Sequence, residues 1–221
     1  MSDLRELVVR WQRGWGLSRA LPAAADLGPG LRVRCLQIGR AVEYFALDQD
    51  PASLRDLAGR VAAETEVTWL TVPTADPDRT AGLLESAGLV VLKRSELMMT
   101  IDLCDHPEPP PAAGYTLRTR AQDAVVTATV HDAAGTTGAH GTIGLAGPDA
   151  VADRIETMSA HRRRGLGSTV MGALAAAAVS AGATRGILVA SEEGRHLYTK
   201  LGWRPAATVL IAATPGTVYP S

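Results

Sequence analysis

The stretch Ile155-Glu-Thr-Met-Ser-Ala-His161-Arg162-Arg163-Arg164-Gly165-Leu166-Gly167-Ser168 limits what this chain can fold into more than any other. An alternating apolar approach, a basic glycine-containing turn and a long alanine-rich run predict a strand, a tight turn and a helix. Arg162, Gly165 and Gly167 stand in the spacing Arg-x-x-Gly-x-Gly. Glycine permits unusual dihedrals and close approach of backbone to a ligand. The first turn of a helix presents N–H groups with no intrahelical acceptor, and the macrodipole adds partial positive charge there. Such a turn suits a phosphate or diphosphate, and His161, Arg162, Arg163 and Arg164 add positive charge around it. The bland alternative is a solvated arginine run ahead of an ordinary helix.

Further along, Gly186-Ile-Leu-Val-Ala-Ser191 reads as a second strand. Gly194-Arg-His-Leu-Tyr198-Thr-Lys-Leu-Gly202-Trp203 reads as a short helix holding a tyrosine. With both pieces present, the chain resembles the GNAT superfamily of N-acyltransferases. The Arg-x-x-Gly-x-Gly turn is similar to that family's pyrophosphate loop. Leu197-Tyr198-Thr-Lys-Leu-Gly202-Trp203 is similar to its Leu-Tyr-x-x-Leu-Gly-Phe segment, with Trp for Phe. The resemblance spans about Asp153 to Pro205. It departs from the family where an Asn often follows the second strand, since the chain has Ser191-Glu192-Glu193-Gly194 there.

The resemblance implies an α/β fold of the α+β type, a splayed mixed sheet flanked by helices. It also implies acetyl-CoA or another acyl-CoA as cosubstrate, wedged between the strands Asp153–Ser159 and Ile187–Ala190. Backbone groups of Thr157 and Met158 would hold the pantetheine arm, and one of their amides would polarise the thioester carbonyl. Arg162 and the main-chain amides of Arg163, Arg164, Gly165, Leu166, Gly167, Ser168 and Thr169 would take the pyrophosphate.

Acyl transfer to an amine also needs two proton movements. Tyr198 matches the family's tyrosine and suits return of a proton to the leaving thiolate; the alternative is a core aromatic with a satisfied hydroxyl. The amine must lose a proton, because a lysine-like amine titrates near pH 10.4. Glu156 is the preferred base, directly or through a water. Strand alternation places Asp153 and Glu156 on opposite faces, and puts Arg154 beside Glu156, where the two would neutralise each other. His131, His140 and His161 are further candidates.

Composition bounds the remaining readings. The net charge of −1 gives no global pull toward nucleic acid or an anionic membrane, so the basic turn points to a small anionic ligand. Hydrophobic content of 46% with 20% charged residues fits a globular protein. Cys35 and Cys104 form no Cys-x-x-Cys, which argues against a metal cage, and no metal is expected. Charges at Asp3, Arg5, Glu6, Arg10 and Arg13 interrupt any signal-peptide core, and a cytoplasmic location is expected. The most apolar run, Met171 to Ala183, is too short to span a bilayer.

In order, the chain predicts a helix over Asp3–Arg13 capped by Ser2, then strands at Leu31–Gln37 and Ala41–Leu47. A helix over Pro51–Glu64, a strand at Val67–Val72 and a helix over Pro77–Ala87 follow. Val90–Leu92 and Leu97–Leu103 are strands. Asp105–Gly114, with its prolines, reads as a linker. Tyr115–Arg118, Val125–Asp132, Gly141–Ala146 and Asp153–Ser159 are strands, with Gly135-Thr-Thr-Gly138 as a turn. Gly165–Ala181 is the long helix, and Thr208–Ala213 the last strand. The expected domains are therefore 1–104 and 115–221, joined by 105–114.

A faint repeat relates the halves: Thr68–Pro73 with Leu83–Leu89 parallels Ile187–Trp203. The first half has neither the tyrosine nor a Gly-x-Gly turn, and reads as a degenerate copy without a cofactor site. Any two strand–helix–strand units could align equally well. The functional expectation is an N-acyltransferase moving an acetyl or other acyl group to a primary amine of a small molecule or amino acid, as monomer or homodimer. The alternative is a non-catalytic acyl-CoA-binding regulatory module. A dinucleotide fold fits poorly, because Val170 stands where Gly-x-Gly-x-x-Gly needs its last glycine.

Overall fold

Two compact units form the protein, and each takes segments from separate parts of the chain. The structure is a computed structural model and describes residues 4–219. The expected Ser2 cap and the Asp3 start of the first helix lie outside the described residues. The elements, in order, are α1 (Leu4–Ser18), β1 (Ala25–Asp26), β2 (Gly30–Gln37), β3 (Arg40–Ala46), α2 (Pro51–Ala63), β4 (Thr68–Thr74), α3 (Pro77–Ser86) and β5 (Val90–Asp102). Then come β6 (Tyr115–Gln122), β7 (Val125–Asp132), β8 (Thr137–Ala146), β9 (Asp149–Thr157), α4 (Leu166–Ser180), β10 (Arg185–Ala190), α5 (Glu192–Lys200) and β11 (Arg204–Ala213).

The first unit takes the start of α1 as far as Val9, then Leu21–Met98, and the chain from Pro205 onward. Its sheet runs β1-β2-β3-β4-β11. β3 and β4 are parallel, with α2 between them in sequence, and the other neighbours are antiparallel. All seven residues of β4 are buried, as expected of a strand covered on both faces. Val42, Leu70, Val72 and Leu210 of the sheet pack with Leu54, Leu57 and Val61 of α2 and Leu84 of α3. Asp50 starts α2 by accepting from the amides of Ala52 and Ser53, a cap worth about 1 kcal/mol.

The second unit takes Arg10–Ala20 and Met99–Arg204. Its sheet runs β10-β9-β8-β7-β6, with β10 parallel to β9 and the rest antiparallel. α4 joins the parallel pair and lies on β7, β8 and β9. Its alanine-rich sequence favours helix and presents small side chains that let it lie close to the sheet. At Gly141 a side chain would collide with Ile155 of β9 and with Val170 and Leu174 of α4. The order β3-α2-β4-α3 thus recurs as β9-α4-β10-α5, with a parallel pair in each.

Several boundaries differ from the sequence reading. α1 continues through Gly14 and Gly16 to Ser18 instead of ending at Arg13. Gly14 is needed there because a side chain would meet Val151 of β9. Val90–Leu92 and Leu97–Leu103 are parts of one 13-residue strand, β5. The expected Gly135–Gly138 turn is partly strand, since β8 begins at Thr137. The segment read as a linker is packed backbone. After a 3-10 turn at Leu103–Asp105 it lies on α4, where a Cβ at Gly172 would stand 2.9 Å from the Pro107 carbonyl oxygen and 2.9 Å from Glu108 Cα. No helix among the described residues is long and apolar enough to cross a membrane.

Candidate functional site

All the sequence-nominated site residues fall in the second unit, around the end of β9. β9 and β10 pair only at Asp149–Arg185, Ala150–Gly186 and Val151–Ile187. Beyond Val151 the pairing stops, although β9 continues to Thr157 and β10 to Ala190. Amides alternate direction along a strand. Met158 donates to the Gly138 carbonyl of the β8 side at 2.9 Å, so Thr157 turns its own amide to the opposite edge, which β10 has left. The Thr157 amide therefore has no strand partner on that edge. The Met158 amide, also expected to serve a ligand, is already used.

A one-residue bulge shapes the same strand. His140 pairs with Glu156 and Thr142 with Asp153, so β9 carries one extra residue there. Arg154, at φ 53, takes the left-handed turn that accommodates it. The side-chain pattern flips across this point. Val151 and Asp153 meet α1, whereas Ile155 and Thr157 face α4. Asp153 and Glu156 consequently share a face, against the simple alternation expected. Arg154 approaches Asp153 at 4.0 Å instead of pairing with Glu156.

The turn between β9 and α4 has open amides. A 3-10 turn at Ser159–His161 follows Met158, then Arg163 stands at φ 64 and Gly165 at φ 77. Left-handed residues beside ordinary ones aim successive N–H groups into one concavity. Arg163 lacks glycine's freedom, so holding it there costs of order 1–2 kcal/mol. No side chain caps α4. Among the described residues, the amides of Arg163, Arg164, Gly165, Leu166, Gly167 and Ser168 have no protein acceptor. Thr169 differs: its amide bonds the Gly165 carbonyl at 3.1 Å. Its buried hydroxyl faces the carbonyls of Pro110 and Gly165, so Thr169 is a packing residue rather than a phosphate ligand. Leu166 is buried and contributes only its amide.

The arginines divide their tasks. Arg162 Nε donates to the Thr157 carbonyl at 3.4 Å, while Arg164 donates to the Tyr115 hydroxyl at 3.1 Å. Gly167 brings α4, β9 and α5 together. A Cβ there would lie 3.0 Å from Leu197 Cδ2 and 3.5 Å from Thr157 Oγ1.

Tyr198 follows Leu197 on α5 and is only 8% exposed. Its ring meets Trp203 edge-on at 6.2 Å. The Trp203 amide closes the helix end on the Tyr198 carbonyl at 3.0 Å, through Gly202 at φ 92. Burial, with the Asp153 charge adding to it, pushes the Tyr198 phenol up to about 12. Among the described residues no protein group bonds its hydroxyl. It would remain protonated across the working range and can give a proton.

The base candidates separate clearly. Asp153 is gripped by Arg19 at 2.7 and 2.9 Å and by Ser18 Oγ at 3.2 Å. Glu156 is exposed, with His140 Nε2 at 3.9 Å. His131 Nδ1 lies 3.3 Å from the Gly135 carbonyl, and His161 Nδ1 lies 2.8 Å from the Tyr115 hydroxyl. Sequence reasoning missed Tyr115 and Arg19, because each acts across a separation in sequence that no local spacing reveals. No group of three His, Cys, Asp or Glu side chains among the described residues could hold a metal ion.

Comparison with known proteins agrees with this geometry. No curated protein matches the sequence. A GCN5-related N-acetyltransferase from Kribbella flavida superposes with a TM-score of 0.72 at 19% identity, covering 98% of this chain and 97% of that one. A tandem GNAT protein from the clavulanic acid biosynthesis pathway gives 0.58 at 13% identity, with 94% of each chain covered. A GCN5-related N-acetyltransferase from Sphaerobacter thermophilus gives 0.59 at 12% identity, over 83% of this chain and 76% of that one. At such identities the likeness is one of fold. Residues 96–203 match the acetyltransferase (GNAT) family itself. That segment is an acetyltransferase domain of the GNAT family.

Proposed function

We propose that the protein transfers an acetyl or other acyl group from acyl-CoA to a primary amine of a small molecule or amino acid. The observation that carries this reading is the pairing of β9 with β10, which ends at Val151 and Ile187 just before the open amides at Arg163–Ser168. Thr157 offers its amide to the pantetheine arm. The main-chain amides and the basic side chains of Arg162, Arg163 and Arg164 favour the diphosphate. When bound, the thioester supplies the activated acyl group.

The chain's own residues then move the protons. Tyr198 holds the proton that the departing thiolate takes. Glu156, exposed on β9 beside His140, takes the proton that the amine loses, directly or through water. Asp153 is committed to Arg19 and Ser18 and supports the strand. The catalytic domain in this reading is the C-terminal stretch from about residue 115, and the N-terminal half is a degenerate GNAT-like copy.

A thermal-shift series with acetyl-CoA, longer acyl-CoAs and free CoA tests the binding half. At 100 times the dissociation constant, stabilisation is about 2.7 kcal/mol. A thiol-release screen against small amines tests the chemistry. Stabilisation without thiol release for any amine would favour a non-catalytic acyl-CoA-binding module. No stabilisation by any of these ligands would remove the reading altogether.

A further inference from the structure

Tyr115 begins β6, far in sequence from the phosphate turn, yet its hydroxyl lies at the centre of that turn's side-chain bonding. Arg164 Nη1 donates to the Tyr115 oxygen at 3.1 Å. The same oxygen lies 2.8 Å from His161 Nδ1. The two rings meet edge-on, with centroids 5.8 Å apart. Gly138 of β8 makes room for this arrangement. A Cβ there would stand 3.0 Å from Leu166 Cδ1, 3.1 Å from Tyr115 Cε1 and 3.3 Å from His161 Cγ.

The donors and acceptors can be assigned by counting protons. A phenol has one hydrogen to donate. Arginine has no acceptor, so Arg164 must donate and Tyr115 must accept. The phenolic hydrogen is then free to go to His161 Nδ1. With the phenolic hydrogen given to Nδ1, neutral His161 carries its proton on Nε2, where it is available as a donor. The other N–H groups of Arg164 have no protein acceptor among the described residues. Tyr115 thus tethers the Arg164 guanidinium and, in that arrangement, sets the tautomer of His161, next to the open amides of the turn.

We propose that Tyr115 is a positioning residue for the diphosphate of acyl-CoA, holding Arg164 and His161 as preset anion donors. This rests on the acyl-CoA reading given above. Its physical basis is preorganisation: a guanidinium already tethered loses less freedom when it meets a phosphate. Tyr115 itself touches no substrate, and its effect passes through Arg164 and His161.

Calorimetric titration of free CoA into the whole protein tests the proposal, using Tyr115→Phe, Arg164→Ala and the double variant. Tyr115→Phe is expected to weaken binding by about fivefold to tenfold, corresponding to the net contribution of one hydrogen bond. The double variant should be no weaker than Arg164→Ala alone, because Tyr115 acts through that side chain. KM for acyl-CoA should rise in Tyr115→Phe, with kcat retained. Tyr115→Phe binding as tightly as the unsubstituted protein, or losses that add in the double variant, would overturn the role of Tyr115 and leave the acyl-CoA reading standing. Failure of the unsubstituted protein to bind CoA would overturn both. Should Tyr115→Phe fold poorly, Arg164→Lys provides the second measurement. It keeps the charge and loses the fork, and is expected to weaken CoA; unchanged affinity would count against the proposal.

Discussion

Arg19, directly after α1, grips both carboxylate oxygens of Asp153 in β9, Nε to Oδ2 at 2.7 Å and Nη2 to Oδ1 at 2.9 Å. Ser18 adds a third bond at 3.2 Å. The pair is largely shielded, with side-chain exposures of 16% and 12%. A carboxylate held in this way anchors the helix to the strand and is poorly placed to accept a substrate proton.

Asp153→Ala is therefore expected to cost about 2–3 kcal/mol, since it strands a largely buried guanidinium. Urea unfolding with an unchanged m-value would measure it. Turnover at a temperature where the variant is folded should change little. A large loss of kcat at undiminished stability would instead make Asp153 the base.

Tyr198→Phe should lower kcat by about 100-fold, the usual scale for a lost general acid, and leave CoA affinity near that of the parent. Burial raises the phenol to about 12 from an unfolded value near 10. The protonated form is the one favoured in the fold, so this contribution is fully present below about pH 10 and is lost as pH rises through about 12. An ultraviolet titration of the parent and of Tyr198→Phe should differ by one tyrosine ionising late. Ionisation of that tyrosine near pH 10 would contradict the burial argument.

Glu156→Gln should depress kcat, leaving stability within about 0.5 kcal/mol because the side chain is exposed. A pH–rate profile of parent and variant decides the matter. If the acidic limb is identical in both, the base lies elsewhere, with His140 next to be replaced.

The first unit should take no second acyl-CoA. Its α2 helix occupies the place that α4 holds in the second, but Asp50 puts its own carboxylate on the Ala52 and Ser53 amides. Asp48 in turn accepts from the Asp50 amide at 3.0 Å. An anion would meet negative charge there instead of open donors. The nearby cleft of about 220 Å³ is lined by Asp48 and Gln49 together with Leu4, Arg5, Ala46, Leu47 and Pro73. Calorimetry should give one CoA per chain, and a stoichiometry of two would refute this.

His106 should make stability sensitive to mild acid. Its ring packs edge-on against Trp203 at 6.0 Å, and burial holds its pKa below the usual histidine value, only partly opposed by the Pro107 carbonyl. The neutral ring is favoured in the fold. Its contribution is present above the unfolded value near 6.5 and is lost as pH falls through the lower folded value. His106→Phe should flatten the fall in melting temperature between about pH 7 and pH 5. An equal fall in both proteins would place the sensitivity elsewhere.

Local chemistry determined much of this in advance. The Arg162–Ser168 spacing announced a turn with open amides, because glycine tolerance and helix-end geometry are properties of a few neighbouring residues. Gly88, Gly182 and Gly202 marked the ends of α3, α4 and α5 for the same reason. Tyr198 was identifiable from its place in Leu-Tyr-x-x-Leu-Gly-Trp. Other features were decided only when distant segments met. The bulge at Arg154 reversed the facing of Glu156, since an extra residue has meaning only against the partner strand β8. Met158 and Thr169 lost their amides to Gly138 and Gly165, which no count of residue types foretells. Arg19 claimed Asp153, Tyr115 claimed Arg164, and Pro107 settled on Gly172, each across a separation that spacing rules do not span. Backbone preference is written in neighbours, whereas the allocation of hydrogen-bond partners belongs to the packed fold.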